Sequence, residues 1–97
     1  MATLEVQADS RARLTGELQF SSVGALLDAG NRVIEDGHIE VIDLAGVTAG
    51  DSAGLALLIE WLSVARSAKR PLHYENIPSQ LQQLARLSEV EEMLLGS

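Results

Sequence analysis

The sequence contains no cysteine, so disulfide bonds and thiolate metal sites are excluded. Only three of its 97 residues are aromatic, which means that Leu, Ile, Val and Ala must fill most of the core. The longest apolar run, Leu55 to Ile59, is far shorter than the roughly 20 residues that cross a bilayer. Residues Met1 to Glu5 also lack the basic and apolar segments of a secretory signal, so export and direct membrane insertion are not expected.

Positive charge is also scarce: the chain has 7 Lys and Arg residues and 14 Asp and Glu residues, which gives a formal net charge of −7. Affinity for nucleic acid comes largely from Lys and Arg side chains that displace counterions, so we predict no nucleic-acid partner. Apolar residues make up 46% of the chain and charged residues 22%, which is typical of a folded globular protein. A chain of this length supports one domain, and we assign residues 1–97 to it.

The order of periodic segments predicts an α/β fold. Alternation in Thr3–Gln7 and Arg11–Thr15, around a turn at Asp9-Ser10, predicts an N-terminal β-hairpin that ends at Gly16. Two further strands are predicted at 39–44 and 72–75, and helices at about 22–36, 52–67, 79–87 and 90–95. Strands that alternate with helices predict a mixed central β-sheet with the helices packed mainly on one face.

The segment Ala45–Gly50 is predicted to be a loop, and Asp51 and Ser52 stand where the second helix begins. A helix amino terminus presents unpaired N–H groups and a partial positive charge, which leaves two interpretations open. Asp51 or Ser52 caps the helix, as these residue types often do. Alternatively, the Ser52 hydroxyl faces a partner and accepts a phosphoryl group, which adds about −1.5 to −2 charges.

The second helix has a wider apolar arc than one sheet requires. Five residues form a face sufficient to cover a sheet: Leu55, Leu58, Ile59, Leu62 and Ala65. Leu57, Trp61 and Val64 extend this arc beyond the stripe of about 100° that sheet packing needs. Either the first helix covers the surplus, or a partner does, and Trp61 is then a favoured anchor.

Known catalytic motifs do not match this chain. Gly46, Gly50 and Gly54 are not followed by the Gly-Lys-Ser/Thr of a phosphate-binding loop. His38 and His73 lack a paired ligand motif, and no nucleophile elbow surrounds Ser52. We therefore expect no catalytic residue, no cofactor and no metal, and the sequence offers no concave polar site for an enzyme or a small-ligand receptor.

The segment Val41–Leu55 resembles the central motif of STAS domains, the sulfate-transporter and anti-sigma-antagonist family. That motif is a buried strand ending in Asp-Leu, a short loop, and Asp-Ser-x-Gly-Leu at the start of a helix. The resemblance implies a single STAS-type domain that binds other proteins and is not an enzyme. In the family, phosphorylation of the residue that matches Ser52 switches partner binding.

Two segments, Asp51–Ile59 and Asn76–Ala85, are similar to the MlaB family of STAS proteins. This similarity implies a cytoplasmic subunit held at the inner membrane through its partners, an MlaF-like ABC transporter ATPase in complex with an MlaE-like permease. Such transporters carry phospholipid and maintain outer-membrane lipid asymmetry. MlaB proteins also allow Thr at the position of Ser52, so a hydroxyl rather than Ser specifically is implied.

The partner-binding surface expected from the motif and the second helix comprises Gly50, Asp51, Ser52, Ala53, Leu57, Glu60, Trp61 and Val64. The alternative function is that of an anti-sigma-factor antagonist. In that case a GHKL-type kinase that sequesters a sigma factor phosphorylates Ser52 and thereby loses its binding partner. Both functions use the same surface and differ in the protein that docks on it.

Overall fold

A computed structural model describes residues 2–95 and shows four strands and four helices within that range. In chain order the elements are β1 (Thr3–Val6), β2 (Arg11–Leu18), α1 (Val23–Glu35), β3 (Val41–Gly50), α2 (Ser52–Ser67), β4 (His73–Glu75), α3 (Ser79–Leu87) and α4 (Glu91–Leu95). The strands form one sheet in the order β1-β2-β3-β4. The β1–β2 pair is antiparallel, whereas the β2–β3 and β3–β4 pairs are parallel. The predicted α/β class, hairpin and mixed sheet are confirmed.

The third strand is longer than the sequence suggested. The segment Ala45–Gly50, predicted to be a loop, continues β3 and pairs with β2 as far as Leu18 opposite Gly50. Gly46 permits this pairing, because a Cβ at Gly46 would lie 2.6 Å from Cγ2 of Thr15. The second strand likewise runs past its predicted end at Gly16, where φ is 95° and the register shifts.

The two faces of the sheet differ sharply in burial. Ala12 and Leu14 of β2 and Ile42 and Leu44 of β3 are fully buried, and the helices pack on this face. The alternating positions on the same strands are exposed or half-buried and include charged residues, such as Arg13. Side-chain alternation therefore places the whole core between the sheet and the helices.

The first helix covers the surplus apolar arc of the second. Trp61 is 0% exposed, and its indole Nε1 donates a hydrogen bond to the carbonyl oxygen of Leu27, 3.4 Å away in α1. Gly30 makes room for the ring, because a Cβ there would lie 2.2 Å from Cε2 of Trp61. Leu57 is buried as well. Of the two alternatives for the surplus, the structure shows cover by the first helix, and the expectation that Trp61 faces a partner is wrong because its ring lies in the α1–α2 contact.

The burial of Trp61 predicts that Trp61→Ala lowers the free energy of unfolding by about 3–5 kcal/mol, since it removes a large core side chain and leaves a cavity. Urea denaturation followed by circular dichroism measures this loss. The matched control is Glu60→Ala, an exposed neighbour on the same helix, which should change stability by less than about 0.5 kcal/mol. Equal denaturation midpoints for the two variants would contradict the packing described.

Candidate partner-binding site

Asp51 joins the end of β3 to the start of α2 and fixes the helix in place. Its backbone N–H donates to the carbonyl oxygen of Leu18, the last residue of β2, at 3.1 Å. Its side-chain Oδ1 accepts from the backbone N–H groups of Ala53, at 2.9 Å, and Gly54, at 3.2 Å. Asp51 is thus the N-cap of α2, and of the two residues proposed as caps it is the one that acts as such.

Gly54 explains how the helix can start so close to the sheet. A Cβ at this position would lie 2.7 Å from both Cβ and the carbonyl oxygen of Leu18, so only glycine fits without a backbone shift. The next residue, Leu55, is buried in the core. Ser52 differs from these motif residues because it lies exposed at the first position of the helix. The junction therefore presents the Ser52 hydroxyl on a rigid support.

A shallow groove borders Ser52 on the side of α3. Its lining comprises Gly50, Asp51, Ser52, Gln80, Gln83, Leu84 and Leu87. The backbone N–H of Gly50 donates to Oε1 of Gln80 at 3.3 Å, and a Cβ at Gly50 would lie 2.8 Å from Cδ2 of Leu81. Leu87, at the far end of α3, is 82% exposed. No basic residue lines this groove, and the carboxylate of Asp51 is its charged group.

A second groove borders the start of α2 on the side of α1. Its lining comprises Phe20, Val23, Gly24, Leu27, Ala53, Ala56, Leu57 and Glu60. Phe20 follows β2 and is 86% exposed. Phe20 and Leu87 are the most exposed large apolar side chains among residues 2–95, and each lines one of the two grooves that border the start of α2. We call Phe20, Ser52, Gln83 and Leu87 the Ser52 surface.

The structure divides the residues expected to bind a partner. Asp51, Ser52 and Glu60 are exposed, and Ala53 and Val64 are half-buried. The remaining three, Gly50, Leu57 and Trp61, are buried within the domain. Asp51, Ser52, Ala53 and Glu60 line the two grooves, and so do the buried Gly50 and Leu57. Trp61 lies entirely inside the domain, and Val64 lines neither groove.

Phe20 and Leu87 were not among the residues that the sequence analysis expected to bind a partner. A signal for Leu87 does exist, because at about 100° per residue it lies about 120° away from Leu81, the fully buried residue of α3. Phe20 lies between a strand and a helix, where no periodicity applies. Its exposure could be found only from the structure.

The turn before α3 is held by the carboxylate of Asp43. Oδ1 of Asp43 accepts hydrogen bonds from Nδ2 of Asn76, at 3.0 Å, and from the backbone N–H of Ala45, at 2.9 Å. Both bonds favour the ionised carboxylate and so lower the pKa of Asp43 below its ordinary value. Asn76 has φ of 56°, in the left-handed region. This contact helps to position α3, whose first turn reaches Gly50 through Gln80.

A sequence model described as "Mlab, STAS domain" matches residues 1–96. The chain belongs to the MlaB family of STAS domains. The Asp51–Leu55 segment, whose geometry is described above, lies within the residues that the family model matches. No curated protein matches the sequence significantly.

Solved structures of anti-sigma factor antagonists share the fold of this MlaB-family chain. An anti-sigma factor antagonist from Mycobacterium paratuberculosis has a TM-score of 0.73 at 19% identity, over 97% of this chain and 81% of that one. The Bacillus cell fate determinant SpoIIAA in its phosphorylated form has a TM-score of 0.71 at 15% identity, over 98% and 89%. The anti-sigma factor antagonist SpoIIAA in its unphosphorylated form has a TM-score of 0.69 at 15% identity, over 90% and 83%. At such identities these similarities show the fold alone.

Residues 2–95 of this MlaB-family domain contain neither a helix that could span a membrane nor a cluster of metal-ligating side chains. In that range no helix is both long enough and apolar enough to span a membrane. The same residues contain no group of three or more His, Asp or Glu side chains arranged to hold a metal ion.

The Asp43–Asn76 bond predicts a pH-dependent effect of Asn76→Gly, which keeps a left-handed backbone accessible but removes the amide. A carboxyl whose folded pKa is depressed stabilises the fold above its unfolded pKa, and this contribution is lost as the pH falls through the folded value. The variant should therefore be destabilised more at pH 7 than at pH 3, and the pKa of Asp43 should rise toward its ordinary value. A carboxyl NMR titration and urea unfolding at both pH values measure these effects, and an unchanged Asp43 titration would contradict them.

Proposed function

We propose that this domain is a non-catalytic cytoplasmic subunit that binds and regulates or stabilises the MlaF-like ATPase of an inner-membrane phospholipid ABC transporter. That ATPase acts with an MlaE-like permease in a system that maintains outer-membrane lipid asymmetry. Membership of the MlaB family supports the proposal. The observation that carries it is the Ser52 surface, in which the exposed Ser52 lines a groove together with the exposed Leu87, while the neighbouring Ala53 lines a second groove together with the exposed Phe20.

The composition of the Ser52 surface favours a protein partner. Burial of a large apolar side chain such as Phe20 or Leu87 contributes about 1.5–3 kcal/mol, which is enough for each to act as an anchor. The Ser52 hydroxyl and the amide of Gln83 can donate and accept hydrogen bonds around these anchors. Such a surface combines apolar contacts with a neutral polar rim.

Regulation by such a subunit needs no chemistry on this chain. A partner that binds the assembled ATPase more tightly than the unassembled one shifts that equilibrium by its differential affinity. The capped junction at Asp51 and the close packing of Gly54 on Leu18 supply the preorganisation that makes docking effective, because little conformational entropy remains to be lost.

A charge at Ser52 would weaken this docking. The amides of Ala53 and Gly54 already bond to the Asp51 carboxylate, so they are not free to bind a second anion. The lining of the adjacent groove provides no basic side chain. A negative group at Ser52 would therefore stand beside a like charge and would lose its hydration when the partner docks.

The proposal predicts that Ser52→Asp reduces affinity for the co-expressed ATPase at least about tenfold, which corresponds to about 1.4 kcal/mol. The isosteric control Ser52→Asn introduces no charge and should lose less, and Ser52→Thr, which keeps the hydroxyl, should bind as wild type. Leu87→Ser should weaken binding because it removes an anchor. Co-purification with the ATPase and permease of the same organism, followed by calorimetric titration, measures each effect. Wild-type binding by both Ser52→Asp and Leu87→Ser would refute this surface.

The second candidate function is that of an anti-sigma-factor antagonist. It is favoured by the similarity of fold to SpoIIAA, whose structure is known in phosphorylated and unphosphorylated forms. In this case a GHKL-type kinase that holds a sigma factor would transfer phosphate to Ser52. Capture of such a kinase and its sigma factor from the host, with stoichiometric phosphate on wild type and none on Ser52→Ala, would establish this function in place of the transporter role.

A further inference from the structure

Helix α1 contains two glycines, and the fold requires only one of them. A Cβ at Gly30 would overlap the ring of Trp61, whereas a Cβ at Gly24 would meet no atom within 4 Å. Glycine in an exposed helix is less favourable than alanine, because it loses more backbone entropy on folding. Gly24 therefore lowers the stability of the isolated domain, and no packing contact within the domain requires a glycine there. What it provides is a place where another backbone can approach closely.

Gly24 lies on the apolar groove between α1 and α2, where the lining from α2 also includes small residues, Ala53 and Ala56. Phe20 stands at the start of this groove with most of its ring in solvent. An apolar groove lined by small side chains and bordered by an aromatic one suits a bulky side chain or a backbone from outside the domain. We call this groove and its continuation along α2 the seam.

The seam becomes acidic toward the end of α2. Glu60 lines both the apolar groove and a second depression, whose other residues are Glu35, Ser63, Val64, Ser67 and Ala68. Neither lining contains a basic residue, and within residues 2–95 neither Glu35 nor Glu60 forms an ion pair. From Ala53 to Ser67 the seam runs about 21 Å, at 1.5 Å per residue. A partner complementary to the seam would be apolar at one end and basic at the other.

We propose that the seam binds an amphipathic helix of the ABC ATPase subunit, with apolar side chains against Gly24 and Phe20 and a Lys or Arg against Glu60 and Glu35. This inference rests on the proposed function and specifies its partner. A helix fits because the walls of the seam are themselves helices and offer no strand edge with which an extended segment could pair. An extended segment would leave its own N–H and C=O groups unpaired there, whereas a helix satisfies its own. The acidic end supplies register and orientation.

A matched pair of variants tests the apolar end. Gly24→Gln and Ala29→Gln introduce the same side chain at two exposed positions of α1, and Ala29 does not line the seam. Gly24→Gln should raise the melting temperature by a few degrees, because it replaces glycine in a helix, and should lower affinity for the ATPase about tenfold or more. Ala29→Gln should leave affinity within about twofold of wild type. A gain in stability with a loss of binding cannot arise from misfolding.

Charge reversal tests the acidic end. Glu60→Lys should weaken binding of the ATPase, and the remaining affinity should fall less steeply as salt is added, since only Glu35 then attracts the basic side chain of the partner. Glu40→Lys makes the same change at an exposed position that precedes β3 and lines neither part of the seam, so it should keep the salt dependence of wild type. Equal effects of the two reversals would overturn the role of Glu60.

The outcomes separate this inference from the proposed function. If wild type binds the ATPase and Ser52→Asp does not, but Gly24→Gln binds as wild type, the proposed function stands and the seam proposal fails. If wild type binds no ABC ATPase, both fail. If the free domain is a dimer in sedimentation and Gly24→Gln dissociates it, the seam is an interface between two copies of this chain and the proposal is overturned.

Discussion

The contact between the end of β2 and the start of α2 determines the rest of this structure. Asp51 bonds to Leu18 through its backbone and to two helix amides through its side chain, while Gly54 lies directly against the same residue, Leu18. The Asp51 side chain accepts hydrogen bonds from backbone N–H groups of the first helical turn that would otherwise need water or a ligand as their acceptor. Because the backbone on both sides of Ser52 is fixed, the direction of its side chain is set by the fold. Phe20, two residues after Leu18, emerges next to this contact for the same reason.

The packing of α1 on α2 decides which residues of α2 remain available. Trp61 turns inward toward Gly30, so the widest apolar part of α2 is used inside the domain. The side of α2 that remains outside carries Ala53, Ala56 and Glu60. This side is narrow, its side chains are small, and it is charged at the end where Glu60 lies. Core packing and the outer groove are thus two consequences of one helix pair.

The sequence was most informative where structure is determined locally. The span of α2, predicted from about Ser52 to Arg66 or Ser67, agrees with Ser52–Ser67 because a cap and helical periodicity lie within the segment itself. The strand over Ala45–Gly50 was missed because its small residues are typical of loops, and only pairing with β2 makes them a strand. Cover of Trp61 by the first helix was one of two possibilities that the sequence left open, and the sequence could not decide between them because this cover depends on Gly30, 31 positions earlier in the chain. Tertiary contacts of this kind leave no periodic signal.

The Asp51 cap also changes what a hydroxyl at Ser52 can do. An uncapped helix start would attract a phosphate through its free amides and partial positive charge. Here a carboxylate already occupies two of those amides, so the helix offers a further anion less stabilisation than its position suggests. A neutral hydroxyl does not meet this repulsion and can contact a partner directly. Any phosphoryl group transferred to Ser52 would have little to hold it within the domain, so its charge would act on whatever protein docks there.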